Sequence, residues 1–468
     1  MTTSLWHDRA PLRRYTDLDT AAGSDSFDDV VVGAGLTGLT TGLLLARAGR
    51  RVVVLEARER SAVTTGRSTA KVSLLQGTKL SRMRRHHSQR LVSAYVEGNR
   101  EGQAWLLRFC EDHGVAVQHR PAVTYAATAD QEDAARAELD VAAESGLAVR
   151  WEQRFDVPIP HVGGTVLDDQ AQLDPVELVE ALTTELREQG GLLHEGQRVT
   201  TVSQDGREVV LDDGRRLRAA QVVLATGMSI LDRGLVFAKV EPQRSYVVTF
   251  SGVRPPHEMM LSAGSPGRSL RSVERDDGSL LMVGGAGHTV GRTRSERQHL
   301  DSLRTWTAEY FPGAAETHAW SAQDYGAPDG VPYVGPLPRG RGRVFVATGF
   351  DKWGFTNAIA AALSISAEIL GGEPPTWQKP LRHRLTGPRQ AFGITELNAR
   401  VGLAACISLP GVVNRPICTH LGGVLRRNDA EGTWDCPLHG SRFADDGAVL
   451  EGPATRPFSK RGPSARGG

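Results

Sequence analysis

The stretch FDDVVVGAGLTGLTTGLLLARAGRRVVVLEA, residues 27–57, decides the fold. Phe27–Gly33 reads as a buried strand, Leu36–Ala48 as an apolar helix ended by Gly49, and Arg51–Ala57 as a second strand. Together they form one strand–helix–strand unit. Gly33, Gly35 and Gly38 stand between the first strand and the helix in the order G-x-G-x-x-G, with Leu36 opening the helix. The first glycine permits a tight turn, the second lets a pyrophosphate approach the backbone, and the third lets helix and strand pack closely. The helix N-terminus adds free N–H groups and a positive partial charge. Glu56 ends the second strand, where a carboxylate accepts hydrogen bonds from a ribose 2′-hydroxyl and repels a 2′-phosphate. A bound dinucleotide is expected, and the hexapeptide alone does not separate FAD from NAD.

Two distant segments favour FAD. Val222–Gly227 is a strand ending in Ala225-Thr226-Gly227, and Gly349-Phe350-Asp351-Lys352-Trp353-Gly354-Phe355-Thr356 precedes a last helix, Asn357–Leu370. Each lies at a strand–loop–helix junction, as in flavoproteins whose backbone follows the cofactor. Gly285–Gly291 imitates the first fingerprint, but its last spacing is one residue too long and no acidic strand end follows. It is read as a turn of the substrate sheet, so no separate NAD(P)H domain is expected.

From about residue 27 to 372 the chain resembles the D-amino-acid oxidase and glycine oxidase superfamily of FAD oxidoreductases (the DadA-like enzymes). The resemblance implies that Thr65, Ser68 and Thr69 of TTGRSTAKV face the flavin or its phosphates. It also implies that Val199 meets the adenine through its backbone, and that Asp329–Gly335 lies near the flavin edge. Relatives often carry His in the TTGxxTAK segment, near which some flavoproteins attach FAD; Arg67 stands there here, so FAD is expected to be non-covalent.

Near the C-terminus stand Cys418-Thr419-His420 and, after fifteen residues, Cys436-Pro437-Leu438-His439-Gly440. Two Cys and two His in this order suit a [2Fe–2S] cluster, thiolates on one iron and imidazoles on the other. Zinc is the competing metal, but a zinc finger runs C-x-x-C then H-x-x-x-H. CTHLGG and CPLHGSRF resemble Rieske domains closely. Many Rieske domains carry a disulfide in the ligand loops; Gly423 and Leu438 occupy those positions, so a disulfide-free subtype is expected. The stretch between Pro380 and Cys418 is short where similar domains have several strands.

The expected architecture is α/β. It comprises a two-dinucleotide-binding-type FAD fold with an antiparallel-sheet substrate domain, plus a small all-β Rieske domain. Residues 1–26 read as a polar surface extension and 27–372 as the interleaved FAD and substrate domains, with the substrate sheet at about 235–320. A linker is expected at 373–384 and the Rieske domain at 385–468. The formal charge of +1 implies neither nucleic acid nor an anionic membrane as partner. Four Cys exclude a disulfide scaffold. The sequence shows no signal-like apolar region and no 18-residue apolar run, so a cytoplasmic chain without a membrane span is expected.

In this superfamily a flavin accepts a hydride from a carbon beside an amine. Tyr246, His288, Lys352 and Trp353 are the candidate substrate or flavin contacts, although Tyr246 also suits a core position and His288 a loop hydrogen bond. His86-His87 is read as a solvated surface and Cys110 as core. The leading expectation is an FAD dehydrogenase that oxidises a small amine or amino acid. It would pass electrons through the Rieske cluster to an external one-electron acceptor, a protein or a quinone. The alternatives are a redox sensor or electron-transfer module without turnover, and a reductase feeding an oxygenase.

Overall fold

A computed structural model of the chain describes residues 3–8, 12–20, 25–276, 278–382, 388–408 and 415–459. The N-terminal unit forms as read: strand Ser26–Val32, helix Leu36–Arg47, strand Val52–Glu56. These join a sheet ordered Tyr333–Pro336, Val344–Thr348, Arg216–Leu224, Ser26–Val32, Val52–Glu56, Leu192–Glu195. Its central strands are parallel, and Tyr333–Pro336 closes one edge antiparallel. Alternation along the strands buries both faces. Val31, Val54, Val223 and Phe345 meet the helices Leu36–Arg47 and Gly354–Ile369, while Val30, Val32, Val53 and Leu224 fill the core on the other side.

The second sheet has nine strands, with Ala315–Gly326, Glu241–Ser251, Gly278–Thr289 and Arg268–Arg275 at one end. It is broader than the expected 235–320, because Lys71–Val72, Val117–Ala126 and Gly163–Leu173 join it from earlier in the chain. Tyr246, Val248 and Phe250 face Leu300 and Leu303 of the helix Arg297–Tyr310, whereas Val247, Met282 and Trp320 face the other way.

Three local expectations are corrected. The extension is not all surface: Leu5 and Trp6 are buried against Val247, Met282 and Trp320, and the Trp6 indole donates to Ser68 O at 2.8 Å. Gly285–Gly291 is not a turn throughout, since the strand Gly278–Thr289 runs through it with Gly285 at φ 143°, and the chain turns only after Thr289. The helix after the GFDKWGFT loop starts at Gly354 rather than Asn357.

The proline-rich link is docked rather than free. Trp377 is buried over Gly98, and its indole donates to Glu101 Oε2 at 2.5 Å. The short stretch before the first cluster motif is a helix, Pro388–Ser408. Leu397 is buried, Val401 and Ala405 pack on the core of the C-terminal sheet, and Asn398 donates to Ala238 O at 2.8 Å. That sheet has four short antiparallel strands, Arg426–Asn428, Thr433–Asp435, Arg442–Phe443 and Val449–Glu451. Parts of the expected linker and Rieske spans, 383–387, 409–414 and 460–468, lie outside the described residues.

Candidate active site and cluster site

A cavity of about 490 Å³ lies between the two large sheets. Gly33, Gly35, Leu36, Glu56, Thr65, Ser68, Thr69, Val199, Ala225, Thr226, Gly227, Gly354 and Phe355 all line it, as do Lys352 and Trp353. The sequence thus marked segments that the fold brings to one wall. A Cβ on Gly33 would stand 2.6 Å from Ala225 O, so the first fingerprint turn is closed against the ATG segment by backbone alone. Glu56 Oε2 accepts from Ala34 N at 2.9 Å and Oε1 from Arg58 N at 3.0 Å. Burial raises the Glu56 pKa, and these backbone donors and Arg198 and Arg58 oppose that rise. Thr65 Oγ1 accepts from Leu36 N at 3.2 Å, which ties TTGRSTAKV to the first turn of the fingerprint helix. Open glycine backbone, a helix N-terminus and a buried carboxylate in one cavity are what a dinucleotide cofactor requires.

Four expected cofactor residues do not line the cavity. A Cβ on Gly38 would stand 1.8 Å from Gly33 O, so its role is helix–strand packing. Thr356 donates to Asn99 Oδ1 at 2.6 Å within a buried polar cluster. Gly335, at φ 129°, lies in the edge strand, and Gly349, at φ 82°, shapes the bend before the helix Gly354–Ile369.

Of the catalytic candidates, His288 does not line the cavity either. Tyr246 borders it, but its phenol turns into the core behind the sheet and meets His288 Nε2 at 2.9 Å. His288 Nδ1 lies 3.0 Å from Thr289 O, so it carries the proton and Nε2 accepts from the phenol. Both belong to the packing behind the sheet, with His299 stacked 4.3 Å from His288. Lys352, at φ 72°, has its backbone N–H on Asp324, whose carboxyl burial raises to about 6. The His86-His87 reading holds only in part, because His87 Nε2 meets Asp329 Oδ2 at 3.1 Å.

The sequence reading missed Lys71, Asp324 and Tyr325, which line the same cavity, and Leu450–Gly452, which reach it from the C-terminal module. No strand alternation marked the lysine, because the strand begins only at Lys71 and Ala70 before it is at φ 51°. The others arrive through long-range packing.

The cluster motifs form two pairs. Cys418 and Cys436 are buried and share a thiol hydrogen bond, which pulls Cys418 down to about 6 and pushes Cys436 up. His420 and His439 lie edge to face with ring centroids 5.4 Å apart. His439 Nδ1 is buried without a hydrogen-bond partner, as expected of a nitrogen kept for a metal. His420 Nε2 instead meets Asp232 Oδ1 at 2.8 Å, so Nδ1 is the ring nitrogen outside that contact. One thiol pair and one imidazole pair fit a two-iron cluster divided two and two. A Cβ on Gly423 would lie 2.9 Å from Leu438, so a leucine packs where many Rieske loops carry a disulfide.

This module is packed against the FAD-binding body. Arg292 Nε donates to Pro437 O at 2.9 Å, and a Cβ on Gly291 would lie 2.9 Å from Pro437. The imitation fingerprint is therefore where the cluster loop docks. Gln323, 1% exposed, donates through Nε2 to both Gly440 O and the Tyr325 hydroxyl, each at 2.8 Å, and accepts from Arg244 Nη2 at 2.7 Å. Phe237 packs on His420 and His439 at 5.3 and 4.8 Å. Asp429 accepts from Glu296 N and Arg297 N at 2.7 and 3.0 Å, capping the helix Arg297–Tyr310 from the other module. At the centre Glu431 meets Arg67 at 3.3 Å, Arg244 at 3.4 Å and Arg442.

Comparisons with known proteins point to the same two cofactors. Residues 28–367 match the family model described as FAD dependent oxidoreductase, and residues 411–461 match the Rieske [2Fe-2S] domain. YhfW of Bacillus subtilis, named as a Rieske 2Fe-2S iron-sulfur protein, is 27% identical over 92% of this chain and 93% of its own. Glycine oxidase of Pseudomonas aeruginosa is 26% identical over 74% of this chain and 95% of its own. The crystal structure of glycine oxidase from Geobacillus kaustophilus shares the fold, with TM-score 0.63 and 19% identity over 77% of this chain and 99% of that one. The family models give FAD and a [2Fe–2S] cluster as the cofactors of this chain. The chain belongs to the FAD dependent oxidoreductase family and carries a C-terminal Rieske domain joined to it through a buried polar interface.

Proposed function

We propose that this protein is a dehydrogenase of small amines or amino acids whose electrons leave through the Rieske cluster to an external one-electron acceptor, a protein or a quinone. When bound, FAD supplies the acceptor for two electrons from a C–N substrate, and the cluster handles electrons singly. The observation that carries the reading is the Gln323 bridge. One side-chain amide holds both Tyr325, on the cavity wall, and Gly440, next to the cluster ligand His439. An oxidase that hands electrons to oxygen has no need of a cluster clamped to its cavity wall.

The chain's residues divide the work. Gly33, Gly35 and the helix N-terminus receive the cofactor's phosphates, and Glu56 its ribose. Lys352 and Trp353 bound the cavity beside the last flavin segment. Asp232 orients His420 through Nε2. Glycine oxidase among the relatives makes glycine the first compound to try. The test is an anaerobic screen of glycine, the other amino acids and simple amines for bleaching of the flavin, followed by turnover with ferricyanide or a quinone against turnover with oxygen. Bleaching by an amine with faster turnover on the one-electron acceptor is expected. Bleaching by no amine, or turnover that uses oxygen alone, contradicts the proposal.

A further inference from the structure

Lys71 is unusual among the cavity-lining cations. Arg67 is paired with Glu431, and Arg198 feels the field of Glu56 and Asp212. Lys71 donates to Met260 O at 2.9 Å and to Ser269 Oγ at 2.7 Å, both neutral, and meets no carboxylate among the described residues. It opens the short strand Lys71–Val72, opposite Gln172, and points across to the substrate-sheet strands Met259–Ser262 and Arg268–Arg275. Ser269, Leu261 and Gly284 border the cavity with it.

We propose that Lys71 is a catalytic base that takes a proton from the substrate's ammonium group; the inference rests on the amine-oxidising reading above. A neutral amine has two N–H bonds and one lone pair. Met260 O and Ser269 Oγ take the two N–H bonds, so the lone pair is the valence left for a ligand in the cavity. The environment favours the neutral amine. Burial, joined by the nearby charge of Arg271 on the strand Arg268–Arg275, lowers its pKa to about 7. The facing residues Gln172, Met260, Ser269 and Gly284 bring no charge, and Arg271 is itself lowered to about 9 by burial.

The step balances simply. The ammonium N–H breaks, its proton forms the third N–H of a Lys71 ammonium, and the substrate nitrogen keeps the electron pair. With FAD bound as two-electron acceptor, that pair would become the second bond of C=N while the neighbouring C–H hydrogen left as hydride. Most small amines are protonated at neutral pH, so a base inside the cavity lets the enzyme bind the abundant form and release the reactive one there. General-base help of this kind is worth about 100-fold or more.

The test has two arms on the holoenzyme. The first follows the Lys71 side-chain Nζ/Cε resonance of lysine-labelled protein, assigned by its absence in Lys71→Met. It should titrate near pH 7, against about 10.4 for an ordinary lysine. The second compares flavin reduction across pH by an amine that bleaches the wild type, glycine first. Wild-type kcat/KM should rise through pH about 7. In Lys71→Met it should fall by about 100-fold at pH 7 and recover only as pH passes the substrate amine's own pKa. A Lys71 that titrates like a surface lysine, or a Lys71→Met profile parallel to wild type, overturns the base while leaving the amine reading intact. Failure of every amine to bleach the flavin overturns both.

Discussion

Glu431 is the hinge of the interface between the two modules, and replacing it with Gln tests whether that interface holds them together. The side chain is 5% exposed and lies against Arg67, Arg244 and Arg442. Burial alone would raise its pKa, but Arg442, Arg244 and Arg67 hold it down at about 2 against an ordinary 4.5. That gap corresponds to about 3 kcal/mol of stability. Because the folded-state value is the lower one, the contribution is complete above pH 4.5 and is lost as pH falls through about 2. Glu431→Gln keeps the shape and removes the charge, leaving Arg244 fully buried with Asp435 at 3.7 Å. Breaking a buried pair in this way costs about 3–5 kcal/mol, in line with the pKa argument. Urea unfolding at pH 7 should show a loss of about 3 kcal/mol, and the gap between variant and wild type should close toward pH 2. A loss below about 1 kcal/mol, the worth of an exposed pair, or a gap unchanged with pH, refutes the reasoning.

Glu56→Ala should weaken FAD binding by about 1.5–3 kcal/mol through lost bonds to a charged acceptor, read by titrating apoprotein with FAD; unchanged affinity removes Glu56 from the site. With Arg67 in the TTGRSTAKV segment, FAD should leave the protein on acid precipitation, and flavin retained in the pellet would refute non-covalent binding. Gln323→Leu removes the bridge between Tyr325 and Gly440 and should slow cluster reduction by the flavin by about tenfold or more, since small misplacements at a reacting centre carry such costs. Stopped-flow absorbance checks the rate and the cluster's EPR spectrum checks its integrity; an unchanged rate with an intact spectrum shows that the bridge does not set the coupling.

What the sequence disclosed and what it hid divide along chain distance. The fingerprint, Glu56, the ATG segment and the GFDKWGFT segment each carry their meaning within a few residues, and the fold gathers them round one cavity. The Cys and His of the two cluster motifs were legible for the same reason, and the fold brings them together as two pairs. Side-chain direction was less so. Tyr246 and His288 sit in alternating strands whose register shifts between Arg244 and Tyr246, and their rings point away from the cavity. Docking of the C-terminal module was hidden altogether. The contacts of Gln323 with Gly440, Arg244 with Glu431 and Asp429 with Glu296 each join residues more than 100 positions apart, and none of these residues is unusual in its local run. Leu5 and Trp6 were misread because a single short apolar pair has no period, yet an open sheet face was waiting for it.

The most direct test of the central claim is freeze-quench EPR of the anaerobic holoenzyme mixed with an amine that bleaches its flavin. The account predicts that a reduced Rieske signal grows in step with the loss of flavin colour in the wild type. In Cys436→Ser, which lacks a cluster thiolate, the flavin should still bleach while no signal forms. A wild-type flavin that bleaches fully while a loaded cluster stays oxidised and EPR-silent would contradict it.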